Sequence, residues 1–143
     1  MKSSILITGA AGKTGHAVIS ALRERGAGVR ALVHRPEQAA SLHALGADDV
    51  VAGDLLDKDL LALAFEGVSS VYHVCPNMHP GEVDIADRII AAARAAGVQH
   101  VVYHSVLHPQ TAAMPHHWQK LWVEERLFES GIFFTILQLA SYM

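Results

Sequence analysis

The chain of 143 residues contains a single cysteine, Cys75, and its charges are few and nearly balanced. One cysteine cannot form a disulfide within the chain and fits a reducing compartment. A net charge of −3, with acidic and basic residues interspersed, gives no basic surface for nucleic acid or anionic lipid. We therefore expect no nucleic-acid partner.

Long apolar runs are also missing from the sequence. No segment reaches the roughly 20 apolar residues that a membrane-spanning helix needs. A strand predicted from residue 4 leaves no room for a signal peptide, so we expect a cytoplasmic protein away from membranes. A hydrophobic content of 51% with 17% charged residues is typical of one soluble globular domain, spanning residues 1–143.

Short β-branched runs alternate with amphipathic stretches along the whole sequence. This alternation predicts parallel strands covered by helices on both faces. Right-handed crossovers then favour a doubly wound α/β fold with six strands in the order 3-2-1-4-5-6. The predicted strands are 4–8, 28–33, 50–52, 70–74, 100–104 and 132–137, and the predicted helices are 13–25, 36–45, 58–66, 83–96 and 115–130.

The first predicted strand runs directly into Gly9, Gly12 and Gly15, and then into a helix. Glycine allows the positive backbone angles of a tight turn, and the first N–H groups of the helix favour an anion. The pattern is typical of a turn that binds the pyrophosphate of a dinucleotide, although an ordinary glycine-containing turn is an alternative. A triphosphate-binding loop is excluded because it requires glycine where Ile7 stands.

The end of the second strand bears on the choice of cofactor. In dinucleotide-binding domains an acidic residue there favours NAD and a basic residue favours NADP. Here the strand ends in His34 and Arg35, and the first carboxylate is Glu37. Basic side chains suit a 2′-phosphate, although a solvated strand end would look the same. We expect NADP(H) in preference to NAD(H).

Three segments resemble the NmrA-like family of atypical short-chain dehydrogenases: the GAAGKTG turn, Gly53-Asp54-Leu55, and residues 120–137. The resemblance covers essentially the whole chain. It implies that the turn holds the pyrophosphate, that the second segment contacts adenine, and that residues after the fourth strand line the nicotinamide ribose. The expected cofactor-binding residues are Gly9, Ala11, Gly12, Lys13, Thr14, Gly15, His34, Arg35, Asp54, Leu55, Val74, Cys75, Pro76, Asn77 and Lys120.

Short-chain dehydrogenases that reduce carbonyls use a serine after the fifth strand and a Tyr-x-x-x-Lys pair on the next helix. Ser105 and Lys120 stand at the serine and lysine positions, and His116 stands at the tyrosine position. His116 and Lys120 share a helix face, but a neighbouring ammonium lowers a histidine pKa, which opposes a role as an acid. The alternative for Lys120 is a surface ion pair with Glu124.

The sequence also departs from the family pattern. The family commonly has arginine at position 34, an Arg-Pro pair at positions 138–139, and a substrate-binding region beyond the sixth strand, which we expect this chain to lack. A histidine-rich stretch near the catalytic candidates lacks the spacing of a metal site, so we expect no metal. Its histidines are His104, His108, His116 and His117.

The expected function is NADP(H)-dependent transfer of hydride to a small-molecule acceptor such as a quinone or enone. A non-catalytic NADP(H) sensor that binds a partner protein is the alternative, and a degenerate chain that binds the cofactor weakly is a third possibility. Only residues 138–143 follow the apolar sixth strand, so that strand should be left as a bare sheet edge. We therefore expect a homo-oligomer.

Overall fold

The computed structural model describes residues 4–76 and 79–140. Within these ranges the strands are β1 (Ser4–Ile7), β2 (Gly28–Val33), β3 (Asp49–Ala52), β4 (Val68–His73), β5 (His100–Val106) and β6 (Phe134–Leu139). The helices are α1 (Lys13–Glu24), α2 (Ala39–Leu45), α3 (Lys58–Phe65), α4 (Glu82–Ala96) and α5 (Pro115–Glu129).

The six strands form one parallel sheet in the order β3-β2-β1-β4-β5-β6, which confirms the predicted doubly wound topology. Successive side chains of a strand point to opposite faces of the sheet. Leu6 accordingly belongs to the apolar core formed with α3, α4 and α5, whereas Ile7 belongs to the core formed with α1 and α2. The sheet is therefore covered on both faces.

Local signals in the sequence place most helix ends. The side chain of Asp57 accepts hydrogen bonds from the N–H groups of Asp59 and Leu60, which caps the start of α3. Gly97 ends α4 in the left-handed conformation, with φ of 71°. None of the helices in the described ranges combines the length and apolar character needed to cross a bilayer.

Several predicted elements differ in their bounds. β4 begins at Val68 rather than at residue 70, and β5 continues to Val106 rather than ending at residue 104. The helix predicted over 36–45 is a 3-10 turn over Pro36–Gln38 followed by α2. The sixth strand begins at Phe134 rather than at residue 132, because its pairing with β5 starts at Val101 and continues to the pair of Val106 with Leu139. The two residues before the strand belong to the turn at Gly131, which has φ of +74°.

Candidate functional site

The candidate site lies at the carboxyl end of the sheet, where β1 and β4 lead to helices on opposite faces. This is the position at which open α/β sheets form a ligand crevice. Oγ1 of the buried Thr8 bridges the two strand ends, since it accepts a hydrogen bond of 2.8 Å from the N–H of Val74 and lies 2.7 Å from Nδ1 of His73. Burial, and then the charge of Lys120, lower the pKa of His73 to about 3, so its imidazole is neutral.

The glycine turn lines this crevice, and its three glycines have different surroundings. Gly9 has φ of +59°, and a Cβ there would lie 2.7 Å from the carbonyl oxygen of Val74. A Cβ on Gly15 would lie 2.6 Å from backbone atoms of Ala10 and Gly9. At Gly12 the nearest atom is 3.6 Å away. Gly9 and Gly15 therefore allow the turn to pack, and Gly12 leaves space beside it.

Gly12 is also the N-cap of α1, with φ of −82° and ψ of 173°. Glycine has no side chain with which to cap the helix, so the N-cap itself supplies no acceptor to the first N–H groups, as at helix N-termini that bind anions. The space beside Gly12 and these donors fit the pyrophosphate that the sequence predicts.

A single cleft of about 930 Å³ runs from the ends of β2 and β3, past the glycine turn, to β5 and α5. Clefts of this size accommodate small-molecule and cofactor ligands. Most of the residues predicted for the site line it, namely Gly9, Ala11, Gly12, Lys13, Thr14, His34, Asp54, Leu55, Val74, Cys75, Pro76, Ser105 and Lys120.

Three of the predicted residues are placed otherwise. Among the described residues, Gly15, Arg35 and His116 are not in the cleft lining. The backbone N–H of Arg35 donates to Oε1 of Gln38, at the start of the 3-10 turn. The His116 ring packs edge-on against His117, with centroids 4.6 Å apart. Asn77 lies outside the described residues.

One end of the cleft lies beside the ends of β2 and β3. His34, Gln38, Asp54 and Leu55 line this end. Oδ1 of Asp54 also accepts a hydrogen bond of 2.8 Å from the N–H of Leu56, so the carboxylate stabilises its own turn while it faces the cleft. The turn role and the cleft position of Asp54 are therefore compatible.

The other end of the cleft contains Cys75, His104, Ser105 and Lys120. Burial, and then the nearby charge of Glu82, raise the pKa of Cys75 to about 12, so this residue is a protonated thiol. Burial, and then the charge of Lys120, lower the pKa of His104. Nδ1 of His104 lies 3.1 Å from the hydroxyl of Tyr72, which orients the ring.

Lys120 is not the surface lysine of the alternative interpretation. Its side chain is 13% exposed, and its Nζ lies 2.6 Å from Oε1 of Glu82, whose side chain is 1% exposed. The hydroxyl of Tyr103 donates to the same carboxylate oxygen. Glu124 instead accepts hydrogen bonds from Ser105 and Gln138, so the pairing of Lys120 with Glu124 that the alternative interpretation required is not formed.

The sequence analysis gave no role to Glu82, Tyr103 or Gln138, and it considered Glu124 only as a surface partner of Lys120. Glu82 is in the first turn of α4, where acidic residues are common for electrostatic reasons alone. Tyr103 and Ser105 share one face of β5, whereas His104 points to the other, yet the strand ends at the cleft and brings both faces to it. Within the described residues, no three His, Cys, Asp or Glu side chains converge as metal ligands.

Comparison with known proteins identifies the family of this chain. A model of the NmrA-like family matches residues 1–143. Quinone oxidoreductase 2 of Escherichia coli strain K12 is 32% identical over 140 residues, which cover 96% of this chain and 49% of that protein. An NAD(P)H azoreductase of Xenophilus azovorans is 31% identical over 141 residues, covering 97% and 48% respectively.

A solved structure has a similar fold. The NADPH-dependent quinone oxidoreductase of Escherichia coli, in complex with NADPH, superposes with a TM-score of 0.84 at 32% identity, over 94% of this chain and 48% of that one. The chain spans about half the length of the relatives that it matches.

Proposed function

The chain belongs to the NmrA-like family, and we propose that residues 1–143 form the cofactor-binding domain of an NADPH-dependent oxidoreductase that reduces a small acceptor such as a quinone. The observation that carries this proposal is the cleft, which joins the glycine turn at the N-terminus of α1 to Lys120, a lysine whose side chain is only 13% exposed, at its other end. The named relatives that act on quinones and azo compounds with NAD(P)H support the same reaction class.

The residues of the cleft suit a dinucleotide along its whole length. The space beside Gly12 and the first N–H groups of α1 would hold the pyrophosphate. Asp54 and Leu55 would contact the adenine, and Lys120 would hold the ribose at the nicotinamide end. When bound, NADPH supplies the hydride, and the protein supplies position and electrostatics.

The proton that accompanies hydride transfer needs a separate source. His116 is away from the cleft lining and Cys75 holds its proton too tightly, because its pKa is raised to about 12. A quinone acceptor makes this less demanding, since its reduced oxygens can take protons from water. We therefore propose that Lys120 orients the ribose, that Ser105, whose proton is given to Glu124, meets the ligand as a hydrogen-bond acceptor, and that His116 contributes little to turnover.

We also propose that NADP(H) is preferred over NAD(H). Lys13 and His34 line the cleft, and Arg35 is next to His34 and exposed, so the cationic side chains of Lys13 and Arg35 are accessible to a 2′-phosphate. A charge-assisted contact with a 2′-phosphate contributes about 1.5–3 kcal/mol, which corresponds to roughly a tenfold or greater difference in affinity.

Calorimetric titration of the chain with NADPH and with NADH tests these proposals. We expect tighter binding of NADPH, and Arg35→Ala should weaken it about tenfold while leaving NADH binding unchanged. The matched control is Arg25→Ala at the far end of α1, where the guanidinium binds the carbonyl of Ala21. Absence of NADPH binding would refute the proposed function, and equal affinity for both cofactors would refute the preference.

Oxidation of NADPH in the presence of a benzoquinone distinguishes turnover from sensing. Lys120 and Ser105 line the cleft and are fixed by buried carboxylates, which favours an enzyme over a non-catalytic sensor. Steady consumption of NADPH that depends on the quinone is expected for the protein that carries this domain. His116→Ala should leave the rate nearly unchanged, and Lys120→Ala should lower both cofactor affinity and rate.

A further inference from the structure

Glu82 is a buried carboxylate that no part of the expected reaction requires. It is the first residue of α4, and its side chain is 1% exposed. Oε1 accepts a hydrogen bond of 2.6 Å from Nζ of Lys120 and one of 2.5 Å from the hydroxyl of Tyr103. Because a carboxylate is costly to bury, both partners compensate its desolvation.

The second oxygen of this carboxylate is arranged differently. Oε2 of Glu82 is buried and has no hydrogen-bond partner among the described residues. A carboxylate placed only for stability would be expected to have both oxygens bonded, because an unpaired buried acceptor is destabilising. Both hydrogen bonds of the Glu82 side chain instead go to Oε1, the oxygen that contacts Lys120.

Lys120 is fixed from two sides by this arrangement. Glu82 binds its ammonium from α4, and the ring of Tyr103 lies under it, with Nζ 5.7 Å from the ring centroid. The lysine remains part of the cleft lining although its side chain is only 13% exposed. A long, flexible side chain is therefore held in one place at the cleft wall before any ligand arrives.

We propose that Glu82 is a positioning residue, which holds the Lys120 ammonium at the place from which it binds the ribose on the nicotinamide side of the cofactor. The inference rests on the proposed function. By fixing Lys120 in advance, Glu82 removes the conformational entropy that the lysine would otherwise lose on binding. The residue acts through Lys120 and does not touch the cofactor itself.

The experiment compares two ligands that differ at the nicotinamide end. NADPH reaches both ends of the cleft, whereas adenosine 2′,5′-bisphosphate occupies only the adenosine end. For Glu82→Gln, which keeps the shape and removes the charge, we expect about tenfold weaker NADPH binding and unchanged bisphosphate binding by calorimetry. Lys120→Met should give the same selective loss.

Two further variants separate positioning from a general effect on folding. Tyr103→Phe removes the other hydrogen bond to Oε1 but keeps the charge pair, so NADPH affinity should change less than threefold. The double variant Glu82→Gln/Lys120→Met should bind NADPH as Lys120→Met does, because Glu82 acts only through the lysine. If Glu82→Gln does not fold, Glu82→Asp keeps the charge and moves it back by one methylene, and should show the selective loss in weaker form.

The outcomes that overturn the inference are distinct from failure of the proposed function. Equal weakening of both ligands in Glu82→Gln would mean a general loss of structure. Weaker NADPH binding in Lys120→Met but not in Glu82→Gln would mean that Lys120 needs no positioning. If the unsubstituted chain binds the bisphosphate and not NADPH, the proposed function itself fails.

Discussion

The hydroxyl of Ser105 donates a hydrogen bond of 2.9 Å to Oε2 of Glu124, so the proton of this serine is already engaged by a buried carboxylate. The other oxygen, Oε1, accepts a hydrogen bond of 2.8 Å from Nε2 of Gln138. Glu124 therefore connects β5, α5 and β6 at the edge of the cleft. A ligand that meets Ser105 finds its hydroxyl oriented toward the protein.

The first prediction concerns the stability that Ser105 provides. Ser105→Ala removes one of the two donors to the buried Glu124 carboxylate and should lower the free energy of unfolding by about 1–3 kcal/mol. Urea denaturation followed by circular dichroism measures this. Ser41→Ala is the control, because that serine donates to the carbonyl of Gln38 on the surface and should change stability by less than about 0.5 kcal/mol. Equal effects would mean that Glu124 does not depend on Ser105.

A second prediction contrasts two glycines of the same turn. In Gly15→Ala the new Cβ would lie 2.6 Å from backbone atoms, so the turn must shift, and we expect a loss of about 1–3 kcal/mol or more in stability. In Gly12→Ala the nearest contact is an ordinary 3.6 Å, so the fold should keep nearly its full stability. Thermal unfolding compares the two variants directly. A Gly12→Ala protein less stable than Gly15→Ala would contradict the described turn.

The third prediction follows from the neutral His73. Its pKa is lowered from 6.5 to about 3 in the folded chain, so between these values the unfolded chain binds more protons. Stability from this group is fully present above pH 6.5 and is lost as the pH falls toward 3, with a slope of at most about 1.4 kcal/mol per pH unit. The free energy of unfolding, measured at several pH values, should fall less steeply below pH 6.5 in His73→Asn than in the unsubstituted chain. Parallel curves for the two proteins would show that His73 does not contribute.

The fourth prediction concerns association. Phe133 is 82% exposed and Phe128 is 69% exposed, and the Phe128 ring packs on Phe134 with centroids 5.1 Å apart. Exposed apolar patches of this kind promote contact with another protein surface. We expect the chain to self-associate, and the double variant Phe128→Ser/Phe133→Ser to reduce its mass in light scattering. Leu63→Ser, at a separate residue that is 59% exposed, should not. A monomer at every concentration tested would contradict this expectation.

Much of the fold could be predicted because its signals are local. Each of these signals lies within a few consecutive residues, as in the glycine turn, the cap at Asp57 and the glycine after α4. The start of β6 was misplaced by two residues because it depends on pairing with β5, which is not local. Apolar character alone does not show where the hydrogen bonds of a strand begin.

The site was predictable in outline but not in its electrostatics. Many residues of the cleft follow strand ends, which sequence patterns locate to within about two residues. The partner of Lys120 could not be predicted in this way, because Glu82 is 38 positions away in the sequence. Sequence spacing suggests Glu124 instead, which is one helical turn from Lys120. Which residues of α4 and α5 contact each other is known only from the packed structure.

Thr8 joins the carboxyl ends of β1 and β4 through both its backbone and its side chain. The last backbone bond between β1 and β4 runs from the N–H of Thr8 to the carbonyl of Tyr72, at 3.1 Å, and beyond it the hydroxyl of Thr8 continues the seam to Val74. In Thr8→Val the side chain would keep its volume, but the N–H of Val74 would lose its acceptor, the hydroxyl of the buried Thr8, while the backbone bond to Tyr72 stayed in place. A redesign of this crevice for another ligand should therefore leave Thr8 unchanged.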